Sequence, residues 1–234
     1  MELFIVCFII GVIGYLQKRE DIKMKIEKCG NITLINGDCM EFMQSQSDKS
    51  FDLAIVDPPY GINYAAKPAR SKREKNNWDN DIPNDIYFDE LFRISNKCII
   101  WGGNYYKLPP CQCFIFWYKQ NPVPNFSDGE FAWTNFNCPA KCFDYRYFGN
   151  LQGKSSVKEK KIHPTQKPII LYEWLLQNFA KSGQKILDTH GGSMGHAIAA
   201  HKLGFDLTII EKDPVYYEQA KKRLIEFQRQ QVLF

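Results

Sequence analysis

The 234-residue chain lacks most of the features that mark special protein classes. No segment recurs at solenoid or propeller periods, which excludes a repeat array. Fifteen glycines and 12 prolines are too few for a low-complexity chain, and 44% hydrophobic residues are too many for a disordered one. Neither sign of charge dominates, since 30 basic residues against 26 acidic ones give only +4. That balance permits a nucleic-acid partner but argues for one only where basic residues cluster. Eight cysteines are too sparse for a disulfide scaffold of this length, and no secretory pattern points to an oxidising compartment. Reduced thiols and a cytoplasmic location are expected. Cys111, Cys113, Cys138 and Cys142 could be drawn as a four-thiolate zinc site, but C-x-C and C-x-x-x-C are looser than the usual spacings. Buried, inert thiols and no metal are the preferred reading.

Long apolar runs are also missing, with one exception at the N-terminus. Residues 3–16 are all apolar or glycine, yet the run is shorter than the roughly 20 residues that cross a bilayer. No basic residue precedes it and no small-residue cleavage site follows, so it makes a poor signal peptide. Residues 1–23 are read first as a start-site extension, with Met24 as the real start. A weak membrane anchor and an extra core helix rank behind that, and no stable membrane association is expected unless residues 3–16 form the anchor. Residues 24–234 are long enough for one well-cored domain.

Within that domain the patterning predicts strands at 32–35, 51–56, 98–101, 113–118 and 206–210, with another starting at Ile186. Helices are predicted at 40–44, 87–95, 169–179, 197–203 and 214–230. Residues 65–85 read as a basic loop and residues 119–161 as an irregular, aromatic-rich stretch, which inside a domain is usually functional or disordered. Strand, Gly-rich turn, helix, strand and acid in residues 186–211 form the signature of a nucleotide-cofactor half in a doubly wound sheet. The expected fold is α/β, a single doubly wound, mostly parallel sheet with an irregular target-recognition insertion.

Two segments carry chemistry. Asp57-Pro58-Pro59-Tyr60 follows an apolar strand, where open α/β sheets place ligands. Two prolines hold the backbone extended, so the Asp57 carboxylate, the Pro58 carbonyl and the Tyr60 ring can face one pocket. An exocyclic amine on a heteroaromatic base could donate both hydrogens there while its ring stacks on Tyr60. A plain strand-ending turn is the simpler alternative. The second segment is Asp188-Thr189-His190-Gly191-Gly192-Ser193-Met194-Gly195, followed about 20 residues later by Glu211. Glycines let a cofactor approach the backbone, and an acid at the end of the next strand can accept hydrogen bonds from ribose hydroxyls.

With His163-Pro164-Thr165-Gln166-Lys167-Pro168 between them, these motifs resemble the amino-methyltransferases of DNA in their permuted, beta-type order. The resemblance covers nearly all of residues 24–230. It implies a Rossmann-like fold that uses S-adenosylmethionine, with Asp57, Pro58, Pro59 and Tyr60 binding and activating the target base. It further implies that Asp38 contacts the cofactor adenine and Glu211 its ribose. Asp188, Gly191, Gly192 and Ser193 would line the cofactor loop, and His163, Thr165 and Lys167 would flank the methionine end. For Asp38 and His163 the alternatives are a helix cap and a brace for the Pro-rich turn. Relatives usually carry an aromatic residue at position 190, a small one at 194 and a hydroxyl residue at 196, where this chain has His190, Met194 and His196.

The implied partner is double-stranded DNA, with a cognate restriction nuclease possible. A base inside a duplex cannot reach such a pocket and must be flipped out. Lys67, Arg70, Lys72, Arg73 and Lys154 would contact phosphates. Asn125 and Arg146, together with Phe126, Trp133 and Asn135, would read bases. A site-specific adenine-N6 methyltransferase is the favoured reading. The alternatives are an N4-cytosine enzyme, an RNA or protein-amide methyltransferase, and a DNA-binding module that has lost catalysis.

Overall fold

In the computed structural model of the protein, residues 24–62, 82–121, 123–124, 127–148, 151–153 and 159–231 are described. Residues 1–23, Lys67, Arg70, Lys72, Arg73, Asn125, Phe126 and Lys154 lie outside the described residues. The elements in chain order are β1 (Lys25–Cys29), β2 (Ile32–Asn36), α1 (Cys39–Gln44), β3 (Phe51–Val56), α2 (Asp85–Ile94) and β4 (Ser95–Trp101). A 3-10 turn (Gly103–Tyr105), β5 (Phe114–Tyr118), β6 (Gly129–Thr134), β7 (Lys141–Asp144), β8 (Tyr147–Phe148) and β9 (Leu151–Gln152) follow. Then come α3 (Ile169–Phe179), β10 (Lys185–Asp188), α4 (Gly195–Leu203), β11 (Asp206–Glu211) and α5 (Pro214–Gln231).

Nine strands form one sheet in the order β1-β2-β11-β10-β3-β4-β6-β5-β7. The run β2, β11, β10, β3, β4 is parallel, so these strands end on one edge. β3 lies at the centre because both its faces are apolar. Leu53 and Ile55 point into the core under α3, α4 and α5, and Ala54 and Val56 into the core under α1 and α2. A strand buried on both faces reads as a continuous apolar run, as residues 51–56 do. Each large aliphatic side chain buried there contributes roughly 1.5–3 kcal/mol. On α2 the buried residues Tyr87, Phe88, Leu91 and Ile94 recur at helical spacing, and Asn84 caps the helix by accepting from the Tyr87 N–H at 3.1 Å.

From β3 the chain crosses by α2 to β4 on one side, while β10 crosses by α4 to β11 on the other. The direction of winding therefore reverses between β3 and β10. That reversal opens a crevice beyond the carboxyl ends of the strands, where doubly wound folds bind ligands.

The stretch 119–161 is more regular than its composition suggests. It supplies β6, inserted antiparallel between β4 and β5, and β7, parallel to β5 at the sheet edge. Two residues read as base contacts are consequently structural. Trp133 is buried with its indole N–H donating to the Pro109 carbonyl at 2.7 Å, and Asn135 accepts from the Cys98 N–H at 2.8 Å. Arg146 is exposed. Among the described residues no helix is long and apolar enough to cross a membrane, and no cluster of three or more His, Cys, Asp or Glu is arranged to hold a metal ion. Cys113 is buried at the start of β5 and Cys142 is exposed on β7.

Candidate active site

Beyond the carboxyl edge lie two cavities, one of about 640 Å³ over β2, β10 and β11, the other of about 560 Å³ between β3 and β6. They share the walls formed by Asp57, Pro59, Thr165, Gln166 and Lys167. A ligand in each would meet at the Asp57 carboxylate.

The first cavity is the cofactor-type cleft. Gly191 and Gly192 form its tight turn. A Cβ on Gly191 would lie 3.0 Å from Ile209 Cγ1, and Gly192 has φ +49°, so both positions favour glycine. Glu211 accepts from the Gly192 N–H at 2.7 Å and the Asp213 N–H at 2.8 Å, which aims its carboxylate along the cleft wall. Burial pushes the Glu211 carboxyl up to about 7, in spite of those two donors. The folded chain therefore holds a proton that the unfolded chain has released above its ordinary value of 4.5. This contributes stability that is full below that value and is lost as pH rises through 7. The expected result is a melting temperature that falls from pH 5 to pH 8, with the fall smaller in Glu211→Gln, read by calorimetry in parallel titrations.

His190 and Met194 depart from the resembled pattern without disturbing the cleft. Burial lowers the His190 imidazole to about 4, so it is neutral, and it packs edge-on against Tyr87 with ring centres 5.5 Å apart. It forms an uncharged aromatic wall of the cleft. Met194 takes φ 51° and buries its side chain in the core. His196 is buried as well, stacked on Tyr172 at 4.8 Å, with Nδ1 3.1 Å from Asp188 Oδ2.

Other cleft positions have mixed roles. Asp188 does not line the cleft. Its carboxylate faces inward and braces the loop by accepting from the His190 N–H at 3.0 Å. Asp38 lines the cleft but also caps α1, accepting from the Met40 N–H, and pairs with Lys212 at 2.8 Å. His163 and Thr165 are bonded to each other at 3.1 Å, and His163 packs on Tyr216. The buried Ser193 lines the turn, its carbonyl accepting from Arg223.

In the second cavity the four-residue motif after β3 presents its polar groups. Tyr60 donates its hydroxyl to Asp57 Oδ1 at 2.7 Å, and its ring stacks on Tyr105 at 5.0 Å and 18°. Tyr106 donates to the Pro58 carbonyl at 2.8 Å and to that of Pro59 at 3.0 Å. Lys167, only 3% exposed, reaches Asp57 Oδ2 at 2.6 Å and Glu130 Oε2 at 2.9 Å. It therefore lines the second cavity as well as the first. Burial raises the Asp57 carboxyl, against the pull of Lys167. Glu130 feels burial too, but Lys167 and Lys119 more than offset it and hold its carboxyl at about 2. Glu130, Lys119, Trp117, Tyr105 and Tyr106 escape the sequence reading. The first three lie on or beside strands β5 and β6, whose pairing no local signal announces; the tyrosines follow the glycines that end β4.

A model of the DNA methylase family, N6_N4_Mtase, matches residues 96–222, more than half of the chain. The chain belongs to the DNA methylase family. The matched part of this methylase includes Glu130, Lys167 and Glu211, while Asp57 lies upstream of it. It is 27% identical to the type II methyltransferase M.HinfI of Haemophilus influenzae, over 83% of this chain and 68% of that protein. It is 26% identical to the type II methyltransferase M2.MboI of Moraxella bovis, over 84% and 88%. The fold is that of the M1.HpyAVI–SAM complex, with a TM-score of 0.54 and 22% identity over 82% of this chain and 99% of that one. The PvuII DNA methyltransferase, named as cytosine-N4-specific, gives a TM-score of 0.57 and 14% identity over 86% and 92%.

Proposed function

We propose that the protein is a site-specific DNA adenine-N6 methyltransferase that uses S-adenosylmethionine. The observation that carries this reading is the meeting of the two cavities at Asp57. A cleft with an acid placed for a ribose and a glycine turn open to close approach fits the cofactor, which supplies a sulfonium methyl group when bound. Asp57, Pro58 and Tyr60 act on the other reactant. The adenine N6 lone pair is delocalised into the ring, so the amine is a poor nucleophile. Accepting its two N–H bonds at Asp57 and the Pro58 carbonyl draws the nitrogen toward a tetrahedral shape and frees the lone pair for in-line attack. Holding the reacting atoms near contact lowers the barrier by several kcal/mol more.

Asp at position 57 favours adenine, because the resembled N4-cytosine enzymes more often carry Ser there. The accommodated departures at His190 and Met194 favour a working cleft over an inactive binding module. The target base reaches the pocket flipped out of the duplex, at an unstacking cost on the order of a few kcal/mol that ring stacking and phosphate contacts offset. The same reading places the methyltransferase unit in residues 24–234, with recognition around 119–161 and residues 1–23 outside it. The type II names of the relatives support a restriction-linked role with a cognate nuclease.

With tritiated cofactor and duplex DNA rich in varied sequence, label is expected in N6-methyladenine after digestion to nucleosides. Label in N4-methylcytosine alone would move the reading to that chemistry. No label in DNA, with saturable cofactor binding retained, would reject DNA as the substrate.

A further inference from the structure

We propose that Lys167 is a movable counter-ion for the catalytic carboxylate, with Glu130 as the seat it shifts to when the target amine takes its place on Asp57. The inference rests on the methyltransferase reading above and assigns its site two positioning residues. Its basis is the geometry of one buried cluster. The Lys167 ammonium has three hydrogens and three acceptors, Asp57 Oδ2 at 2.6 Å, Glu130 Oε2 at 2.9 Å and the Tyr60 hydroxyl at 3.2 Å. Tyr60 spans the same two carboxylates, 2.7 Å from Asp57 Oδ1 and 3.4 Å from Glu130 Oε2. On its far side Glu130 is held by Lys119. Within this cluster the two carboxylates, Asp57 and Glu130, are matched by the two ammonium groups of Lys167 and Lys119.

In the free site both Asp57 oxygens already have donors, and Lys167 stands in the wall that the two cavities share, so an amine seated on Asp57 Oδ2 competes with the ammonium for that oxygen and its charge. Releasing a buried ammonium with nowhere to go is strongly unfavourable, because desolvation of an unpaired charge is not recovered. Glu130 removes that cost. It already accepts one Lys167 hydrogen, so the ammonium stays paired and inside the cavity while Asp57 Oδ2 turns to the base. The groups that face Asp57 are Tyr60 beside it, Lys167 after the Pro-rich turn and Glu130 on β6, with Tyr106 on the neighbouring carbonyls and the Tyr172 hydroxyl on α3 near enough to feel its charge. Among the described residues Lys167 is the cation paired with it. Without Lys167 two buried carboxylates face one another and one of them takes up a proton. A protonated Asp57 has lost an acceptor and the charge that draws on the amine.

The test compares single-turnover methylation, at cofactor concentrations that saturate at every pH, between pH 6 and pH 9 in wild type, Lys167→Met, Glu130→Gln and the double variant. Cofactor affinity and melting temperature are measured alongside. For Lys167→Met the rate is expected to be about tenfold lower at pH 7 and to climb about tenfold toward pH 9, while wild type stays flat, since ionisation of one group changes at most tenfold per pH unit. Glu130→Gln is expected to be slower at every pH, because the ammonium has lost its second seat. Adding Glu130→Gln to Lys167→Met is expected to return much of the rate at pH 7. A Lys167→Met profile parallel to wild type, or a double variant no faster than Lys167→Met, would overturn the proposal. Loss of cofactor affinity in Lys167→Met with an unchanged profile would make Lys167 a cofactor ligand instead. Should wild type methylate no DNA, the functional reading fails on its own. The ionisation of Asp57, followed by carboxyl-carbon NMR in wild type and Lys167→Met and assigned with Asp57→Asn, then decides the counter-ion role. A titration that does not move upward on loss of Lys167 rejects it.

Discussion

Asp57→Ala is expected to lower the rate of methyl transfer at saturating DNA and cofactor by at least about a thousandfold, the scale on which positioned acceptors act on a transition state. The loss has two parts. The carboxylate that accepts the amine hydrogen disappears, and with it the alignment that points the nitrogen at the neighbouring cleft. Cofactor affinity is expected to stay within about threefold, because Asp57 touches that cleft only at its shared wall while Glu211 and the glycine turn form its far side. The variant is also expected to fold, since Lys167 keeps Glu130 and Tyr60 as partners. Single-turnover kinetics with calorimetric cofactor binding would check both halves. A rate loss below tenfold would remove Asp57 from the chemistry, and a collapse of cofactor binding would show that the two cavities are not separable.

The second large effect is expected at Gly102, a residue that touches no reactant. Its φ is +71°, and a Cβ built on it would clash with one edge of the Tyr60 ring. Gly102→Ala therefore pays twice. The left-handed backbone costs roughly 1–2 kcal/mol for a residue with a side chain, and forcing an extra carbon into filled space costs roughly 1–3 kcal/mol more. For a chain of this size a total of about 2–5 kcal/mol corresponds to a fall in melting temperature of roughly 5–15 °C. The displaced ring is the one that stacks on Tyr105 and bonds Asp57, so methylation is expected to drop by about a hundredfold even at temperatures where the variant is folded. Thermal melts and rates measured on the same samples would separate the two. A variant with wild-type activity would mean that the Tyr60 ring has no part in holding the base.

The site was legible in the sequence wherever its chemistry is local. Asp57 to Tyr60 sit in one turn after one apolar strand, and the glycine turn and Glu211 sit on consecutive strands joined by one helix. Short-range patterning reports such arrangements directly. The second carboxylate was hidden because Glu130 depends on β6 entering antiparallel between β4 and β5. That register is set by Trp133, Phe131 and their neighbours across two strands rather than by anything adjacent in the chain. Lys167 was seen but placed too narrowly, at the methionine end of the cleft, because a motif gives a residue's company in sequence and not the side of a shared wall on which its ammonium lies. Trp133 and Asn135 looked like surface readers for a related reason. Aromatic and amide side chains suit both base contacts and buried caps, and only the strand pairing decides between them.

The central position of β3 also bears on how the chain comes off the ribosome. Its neighbour on one side, β4, follows within a few dozen residues, but its neighbour on the other is β10, where Ile186 pairs with Leu53 from more than half the chain away. At ordinary rates of synthesis that partner arrives on the order of ten seconds later. Until then a strand that the finished fold buries almost completely has an unpaired edge, the kind of edge that recruits other chains. The wall that joins the two cavities, with Thr165, Gln166 and Lys167 on one side and Asp57 on the other, is thus completed late in synthesis, and β3 keeps one pairing edge open until β10 has been made.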